Sequence, residues 1–243
     1  VHSTGCGEYT SPSELAALLR RQQIQVAAAL VWGEGYASDS AFFTGRDHPL
    51  STADFILHYD LEISHFVAAK GGHLMLLGLD SIAFSPDVFH APQSGVPIVE
   101  WAQRQPRAIV GVAHGQFWPY DGSFPVPPGG CCTPFEGVVH AARGRLDFLS
   151  MEVPLTAGPG VFRLRKAMQN AGLRVAIAGG SDFSCISEAF DAFTLRTDVL
   201  VDGPLTYESW LAAIKAGRTA AAMGVGNHLN LRVEGQRLGE EVP

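Results

Sequence analysis

Short apolar runs alternate with amphipathic segments of helical length along most of this chain, and that alternation limits the fold more than anything else. Ser11-Pro12-Ser13-Glu14 offers an N-cap serine, a proline at the first helical position and a capping-box glutamate. Leu15, Leu18 and Leu19 then form a helical stripe. The near-continuous apolar run 25–32 reads as a strand buried on both faces. Strands are expected at 73–79, 108–113, 146–151 and 173–178. Helices are expected at 97–105, 134–143, 160–171 and 206–216, with Gly172 and Gly217 as stops. Strands alternating with helices predict an α/β fold with a largely parallel sheet. A chain of 243 residues favours a closed or nearly closed barrel over a small open sheet.

Residues 1–224 are expected to form the barrel. Residues 225–243 are expected to form a terminal β segment that could open an appended β-domain, with 228–242 alternating and turning like a β-hairpin. Both ends read as cut, so the sequence leaves targeting and compartment open. Residues 33–50 and 115–134 carry no regular pattern, and the second stretch suits a lid or binding loop. Lys plus Arg number 17 against 24 Asp plus Glu, a formal charge of −7, which argues against a general nucleic-acid partner. No apolar run approaches the roughly 20 residues of a membrane helix. The expected partner is a small-molecule substrate, and oligomeric state is left open. Cys6, Cys131, Cys132 and Cys185 form no C-x-x-C pair and read as free thiols.

Nine histidines in a chain this poor in charge point to metal or acid/base chemistry. His114 directly follows the run AIVGVA, Asp182 follows LRVAIAGGS, and Glu152 follows LDFLSM. His73 opens HLMLLGL, Glu62 lies one short loop earlier, and His2 stands where a first strand would just have ended. Polar residues at strand ends of successive units are how α/β barrels assemble a site on one rim. The other histidines have ordinary readings. His58 and His65 are expected to be surface or internally satisfied, and His140, on a helix beside Glu136, structural. His48, His90 and His228 gain nothing from their spacing. Glu152 is left open as a ligand or supporting acid. Trp32, Gln116, Phe117 and Trp118 gather near the expected rim, where Trp118 would shape a pocket. No G-x-G-x-x-G, Walker A or G-x-S-x-G motif is present.

Val1-His2-Ser3, Glu62 ahead of Gly72-His73-Leu74, Val112-Ala113-His114 and Gly180-Ser181-Asp182 occur in an order that resembles the PHP (polymerase and histidinol phosphatase) superfamily of metal-dependent hydrolases. The CehA/McbA-like branch, named for carbaryl hydrolysis, is the nearest likeness. The resemblance implies a distorted (β/α)7 barrel with its metal site at the C-terminal rim of the strands. Where the fuller family pattern has T-D-H, this chain reads Val31-Trp32-Gly33-Glu34. Where it has S-D-x-H, Ser184 stands in place of the histidine, and Glu8 lies near the place of another missing histidine. These joint departures imply loss of a third metal and retention of two. By resemblance, one cation would be held by His2, Glu62, Asp182 and a histidine ahead of Val1. The other would be held by Glu62, His73 and His114, with Glu62 bridging. Imidazole and carboxylate ligands suit zinc, iron or manganese. Glu62, His114 and Asp182 would then serve a metal-activated water or hydroxide that cleaves an ester, carbamate or related bond. The alternatives are a phosphoesterase, for which Arg46 and Arg143 are candidate phosphate ligands, and a non-catalytic metal- or ligand-binding barrel.

Overall fold

The computed structural model describes residues 1–5, 8–33, 35–64, 71–83, 94–115, 135–151, 160–183, 195–223 and 231–240. Glu34, His65, His90, Gln116, Phe117, Trp118, Glu152, Ser184, His228 and the four cysteines lie outside them, as does the Glu8 side chain.

The core is a curled six-stranded sheet, a half-barrel, in the order β3-β4-β5-β6-β7-β8. Its strands are β3 (Val26–Val31), β4 (Ile56–Ile63), β5 (Leu74–Leu77), β6 (Ile109–Val112), β7 (Phe148–Met151) and β8 (Ala176–Gly179). Five run the same way; β5 is antiparallel to both β4 and β6. The sequence reading placed strands at β3 and at β5 to β8, but not at β4, and gave no sign of the β5 reversal. All eight residues of β4 are buried. Its polar positions His58, Asp60 and Glu62 alternate, so they share one face.

The two faces of the sheet bury different partners. Ala27, Ala29, Val31, Leu57, Tyr59, Leu61 and Ile63 pack into a large cluster with four helices. These are α1 (Pro12–Arg21), α3 (Val96–Ala102), α4 (Phe135–Ala142) and α5 (Gly160–Asn170); a short α2 (Tyr36–Asp39) follows β3. In α1 the expected cap forms: the Ser11 side chain accepts from the Glu14 N–H, and the Ser11 N–H donates to Glu14 Oε2 at 3.0 Å. Such a cap stabilises a helix by about 1 kcal/mol. The opposite face carries Leu30, Ile56, Leu77, Ile109, Phe148 and Ala178, which pack on Tyr207, Leu211 and Ile214 of α6 (Tyr207–Lys215). Ala28, Met75, Ser150 and Ala178, from four different strands, line one cavity. Gly111 lies under the Phe148 ring, where a Cβ would stand 2.1 Å from ring carbon Cζ.

Three two-stranded units complete the described chain: β1 (Thr4–Gly5) with β2 (Glu8–Tyr9), β9 (Leu195–Val199) with β10 (Thr219–Met223), and β11 (Arg232–Val233) with β12 (Gln236–Arg237). The last is the expected hairpin, turning through Glu234 and Gly235 at φ 52° and 84°. The β9–β10 ribbon had no counterpart in the sequence reading. No helix among the described residues is long and apolar enough to cross a membrane.

Candidate metal centre

The strand directions explain how distant residues reach one rim. Glu62 is next to last in β4, His114 stands two residues past β6, and Asp182 three residues past β8. His73 comes just before β5. Because β5 runs against its neighbours, its beginning meets their ends, and the Ala113 N–H donates to the His73 carbonyl at 3.0 Å. His2 is anchored beside the end of β3. The Val1 carbonyl accepts from the Leu30 N–H at 2.8 Å, and the His2 N–H donates to the Phe183 carbonyl at 2.6 Å.

All five residues named from the sequence meet in one chain of contacts. His2 Nε2 lies 3.3 Å from Asp182 Oδ1 and 3.4 Å from Glu62 Oε2. The other carboxylate oxygen, Glu62 Oε1, lies 3.0 Å from His73 Nδ1. His73 Nδ1 in turn lies 3.1 Å from His114 Nε2. His2, Glu62 and His114 are buried, while the Asp182 side chain keeps 18% of its surface exposed and opens the cluster towards solvent.

Backbone strain is concentrated here. His114 and Asp182 hold φ of 57° and 46°, two of the four positive values among described residues other than glycine. The left-handed region costs such residues about 1–2 kcal/mol. The fold holds these two strained residues at the places where a ligand side chain has to be aimed.

The donor set fits a cation. His2 Nδ1 donates to the Leu30 carbonyl at 3.0 Å, so in the neutral ring Nε2 carries the lone pair and points it at two carboxylates. Fixing a histidine through its other ring nitrogen is the usual way to present a metal ligand. Atoms about 2.1 Å from a common ion stand about 3.0 Å apart at octahedral angles and about 3.4 Å apart at tetrahedral ones. The contacts of 3.0 to 3.4 Å fall in that range. Glu62, His73 and His114 are a buried group that could hold a metal ion. Burial works against a charged Glu62, but the His73 hydrogen bond and the neighbouring imidazoles of His2, His73 and His114 outweigh it. They hold the carboxyl below its usual range.

The other candidates lie elsewhere. Trp32 packs beside His2 with ring centroids 5.1 Å apart, and its indole N–H donates to the Thr4 carbonyl. His58 is fully buried rather than on the surface; Nδ1 meets Asp47 at 3.0 Å and the ring stacks on Tyr207. His48 accepts the Leu50 N–H at 3.2 Å. His140 is buried on α4, 3.7 Å from Glu136. Arg143 pairs with Glu100, and Arg46 lines a polar depression with Asp47, Arg107 and Glu208. Neither arginine is among the contacts of the five clustered residues.

Sequence reasoning missed Asp39, Asp60 and Tyr207. Asp39 is fully buried and accepts from the Thr4 N–H and hydroxyl, both at 2.8 Å, which ties down the segment that carries His2. Asp60 was open to detection, because His58, Asp60 and Glu62 repeat at strand period in an otherwise apolar run. No family model matches this chain, and neither a curated protein nor a solved structure does.

Proposed function

We propose that this chain is a PHP-type metal-dependent hydrolase and that the half-barrel is the larger part of a distorted (β/α)7 barrel. One observation carries the reading: the two oxygens of buried Glu62 face separate ligand sets, His2 with Asp182 and His73 with His114. In this reading His2, Glu62 and Asp182, together with His73 and His114, would hold two divalent cations of zinc, iron or manganese. Such ions supply Lewis-acid polarisation of a scissile carbonyl or phosphoryl group and lower the pKa of water. The chain's own contribution is placement. Leu30 fixes the His2 tautomer, the buried carboxylate of Glu62 stays ionised, and the strained backbones at His114 and Asp182 aim their side chains. Asp182, on the exposed side of the cluster, marks the approach for substrate.

An ester, carbamate or related bond is the favoured target. A phosphoesterase would use rim cations for its substrate, and the positions of Arg46 and Arg143 do not support it. A non-catalytic metal-binding barrel is the second reading, favoured by Trp32 packed on His2 where the family pattern has metal-binding residues. Elemental analysis of the purified chain, followed by assay of the metal-loaded protein on aryl esters, carbamates and phosphoesters, separates these. Expected are bound transition metal, turnover of an ester or carbamate, and loss of turnover in folded His114→Ala and Asp182→Asn. Absence of stoichiometric metal overturns the centre. Bound metal with no turnover across the panel leaves the binding barrel.

A further inference from the structure

The clustered side chains at the rim are held by different means. Glu62 lies within β4, and His73, His114 and Asp182 stand within three residues of β5, β6 and β8. The ladder of the sheet sets where these four begin. His2 belongs to none of the six strands of that sheet, so its aim depends on whatever grips the segment around it. Part of the grip is on His2 itself, through Leu30 and Phe183. Part is on Thr4, through Asp39. A third part is on the residue between them.

Ser3 Oγ lies 2.6 Å from Tyr59 Oη, and both residues are buried. Tyr59 and Glu62 are three positions apart in β4, so their side chains leave opposite faces of the strand. His2 Nε2 stands 3.4 Å from Glu62 Oε2 on one face, while Ser3 meets Tyr59 on the other. Two consecutive side chains therefore straddle one strand. Neighbouring Cα atoms are about 3.8 Å apart and joined by a planar peptide. Ser3 cannot shift without carrying the His2 ring with it.

The surroundings of Tyr59 would suit a phenylalanine. It packs in the large apolar cluster beside Ala29, Leu57 and Leu61, with the Phe42 ring centroid 5.4 Å away. A hydroxyl buried there is costly without a partner, and the partner it has is 56 residues away in sequence, next to His2. Burial above all pushes the phenol pKa up to about 12. The pair is thus neutral, and its grip does not change across the ordinary pH range.

We infer that Tyr59, acting through Ser3, is a positioning residue for the His2 imidazole. The pin keeps His2 Nδ1 on the Leu30 carbonyl and Nε2 between Glu62 and Asp182. What this placement does for a cation rests on the metal-dependent reading; the grip itself does not.

Tyr59→Phe and Ser3→Ala each remove one hydroxyl of the pair, and Ser3→Thr keeps it. Amide exchange at His2 and Thr4 is followed in EDTA, together with the imidazole Nδ1–H resonance of His2. Exchange at Leu61 and Leu76, in the middle of the sheet, reports on the rest of the fold. Both hydroxyl-deleting variants are expected to speed His2 and Thr4 at least about 10-fold, to weaken the Nδ1–H resonance and to leave Leu61 and Leu76 unchanged. The double variant is expected to be no faster than either single one, and Ser3→Thr to match the wild type. Zinc titration is expected to show affinity lowered about 10–100-fold in Tyr59→Phe, the effect of losing an outer partner of a metal site. Unchanged exchange at His2 overturns the pin, and additive effects in the double variant overturn the pairing. Equal acceleration at Leu61 and Leu76 overturns positioning and makes Tyr59 an ordinary core residue. Zinc held as tightly by Tyr59→Phe as by the wild type overturns its role at the site. A wild type that binds no zinc overturns the metal-dependent reading instead, and the exchange rates then decide the pin by themselves.

Discussion

Two carboxylates on one face of β4 lie two residues apart and have opposite surroundings. Asp60, towards the floor of the half-barrel, receives the Gly78 N–H at 2.8 Å, the Leu79 N–H at 3.3 Å and the Tyr207 hydroxyl. Glu62, at the rim, has imidazoles as its partners. Both are buried. For Asp60, burial outweighs His58, Tyr207 and the two N–H groups, and the pKa is raised. For Glu62 the imidazoles win over burial, and the pKa is lowered. The difference teaches how to read a buried acid: fixed N–H and O–H donors complete it within the protein, whereas imidazoles, which can either donate to it or turn a lone pair to a metal, leave room for a cation to serve them all.

The sharpest way to break this contrast is to neutralise each acid and read two quantities, metal content and melting temperature. Glu62→Gln is expected to lower metal affinity by at least about 10–100-fold, the size of effect seen even for outer partners of a metal site. Its melting temperature should change little when both proteins are compared in EDTA. Asp60→Ala is expected to do the reverse. Three buried donors lose their acceptor, at a cost of about 3 kcal/mol, which lowers the melting temperature by about 6–12 °C. Metal per folded chain should stay at the wild-type value. Elemental analysis with calorimetry checks both variants, and a Glu62→Gln protein that melts much lower with full metal would reverse the assignment of rim and floor.

The rim was legible in the sequence and the floor was not, for physical reasons. His73, His114 and Asp182 follow or precede apolar runs, so the strand pattern itself points to them, whereas His2 and Glu62 were placed by their neighbours and by the family resemblance; α1 was legible through its complete capping box. Strand β4 was hidden because His58, Asp60 and Glu62 break its apolar character, although all three are buried. The reversal of β5 leaves no local mark, since a four-residue strand reads the same in either direction. The partnership of Asp60 with Tyr207 spans 147 residues of sequence, and nothing local announces a contact that only tertiary packing creates. The β9–β10 ribbon carries Arg196, Asp198 and a run of alanines, a weak strand pattern that pairing and the edge of β8 override.

A smaller change probes the floor alone. Tyr207 stacks on His58 with ring centroids 4.0 Å apart, and its hydroxyl pKa is pushed well above the usual value by burial and then by Asp60. Tyr207→Phe keeps the ring and removes one donor from Asp60. The expected loss is about 1.5–3 kcal/mol, the range for a hydrogen bond to a charged group. Denaturant unfolding measures it, and metal content should not move. A loss of metal in this variant would mean that floor and rim act as one unit.

Glu136 puts the donor rule to its finest test, because its partners are of both kinds. Its Oε2 accepts the Gly95 N–H at 2.6 Å, as a floor acid does, and lies 3.7 Å from the imidazole Nε2 of His140, as a rim acid does. It also packs on Gly71, two residues before His73, where a Cβ would stand 2.5 Å from Glu136 Cγ. Burial opposes its charge, but His140 and the Gly95 N–H prevail and the pKa is lowered. The unfolded chain therefore holds this proton more tightly than the folded one. The stabilisation from Glu136 is present above the unfolded value of about 4.3 and is lost as pH falls through the lower folded value. Measured in EDTA to remove any contribution from metal, Glu136→Gln should flatten the stability curve below about pH 4.3. Because a backbone N–H already completes the carboxylate, metal content at neutral pH should be unchanged. An unaltered pH curve together with lost metal would place Glu136 with the rim and show that one imidazole outweighs a backbone donor in deciding what a buried acid is for.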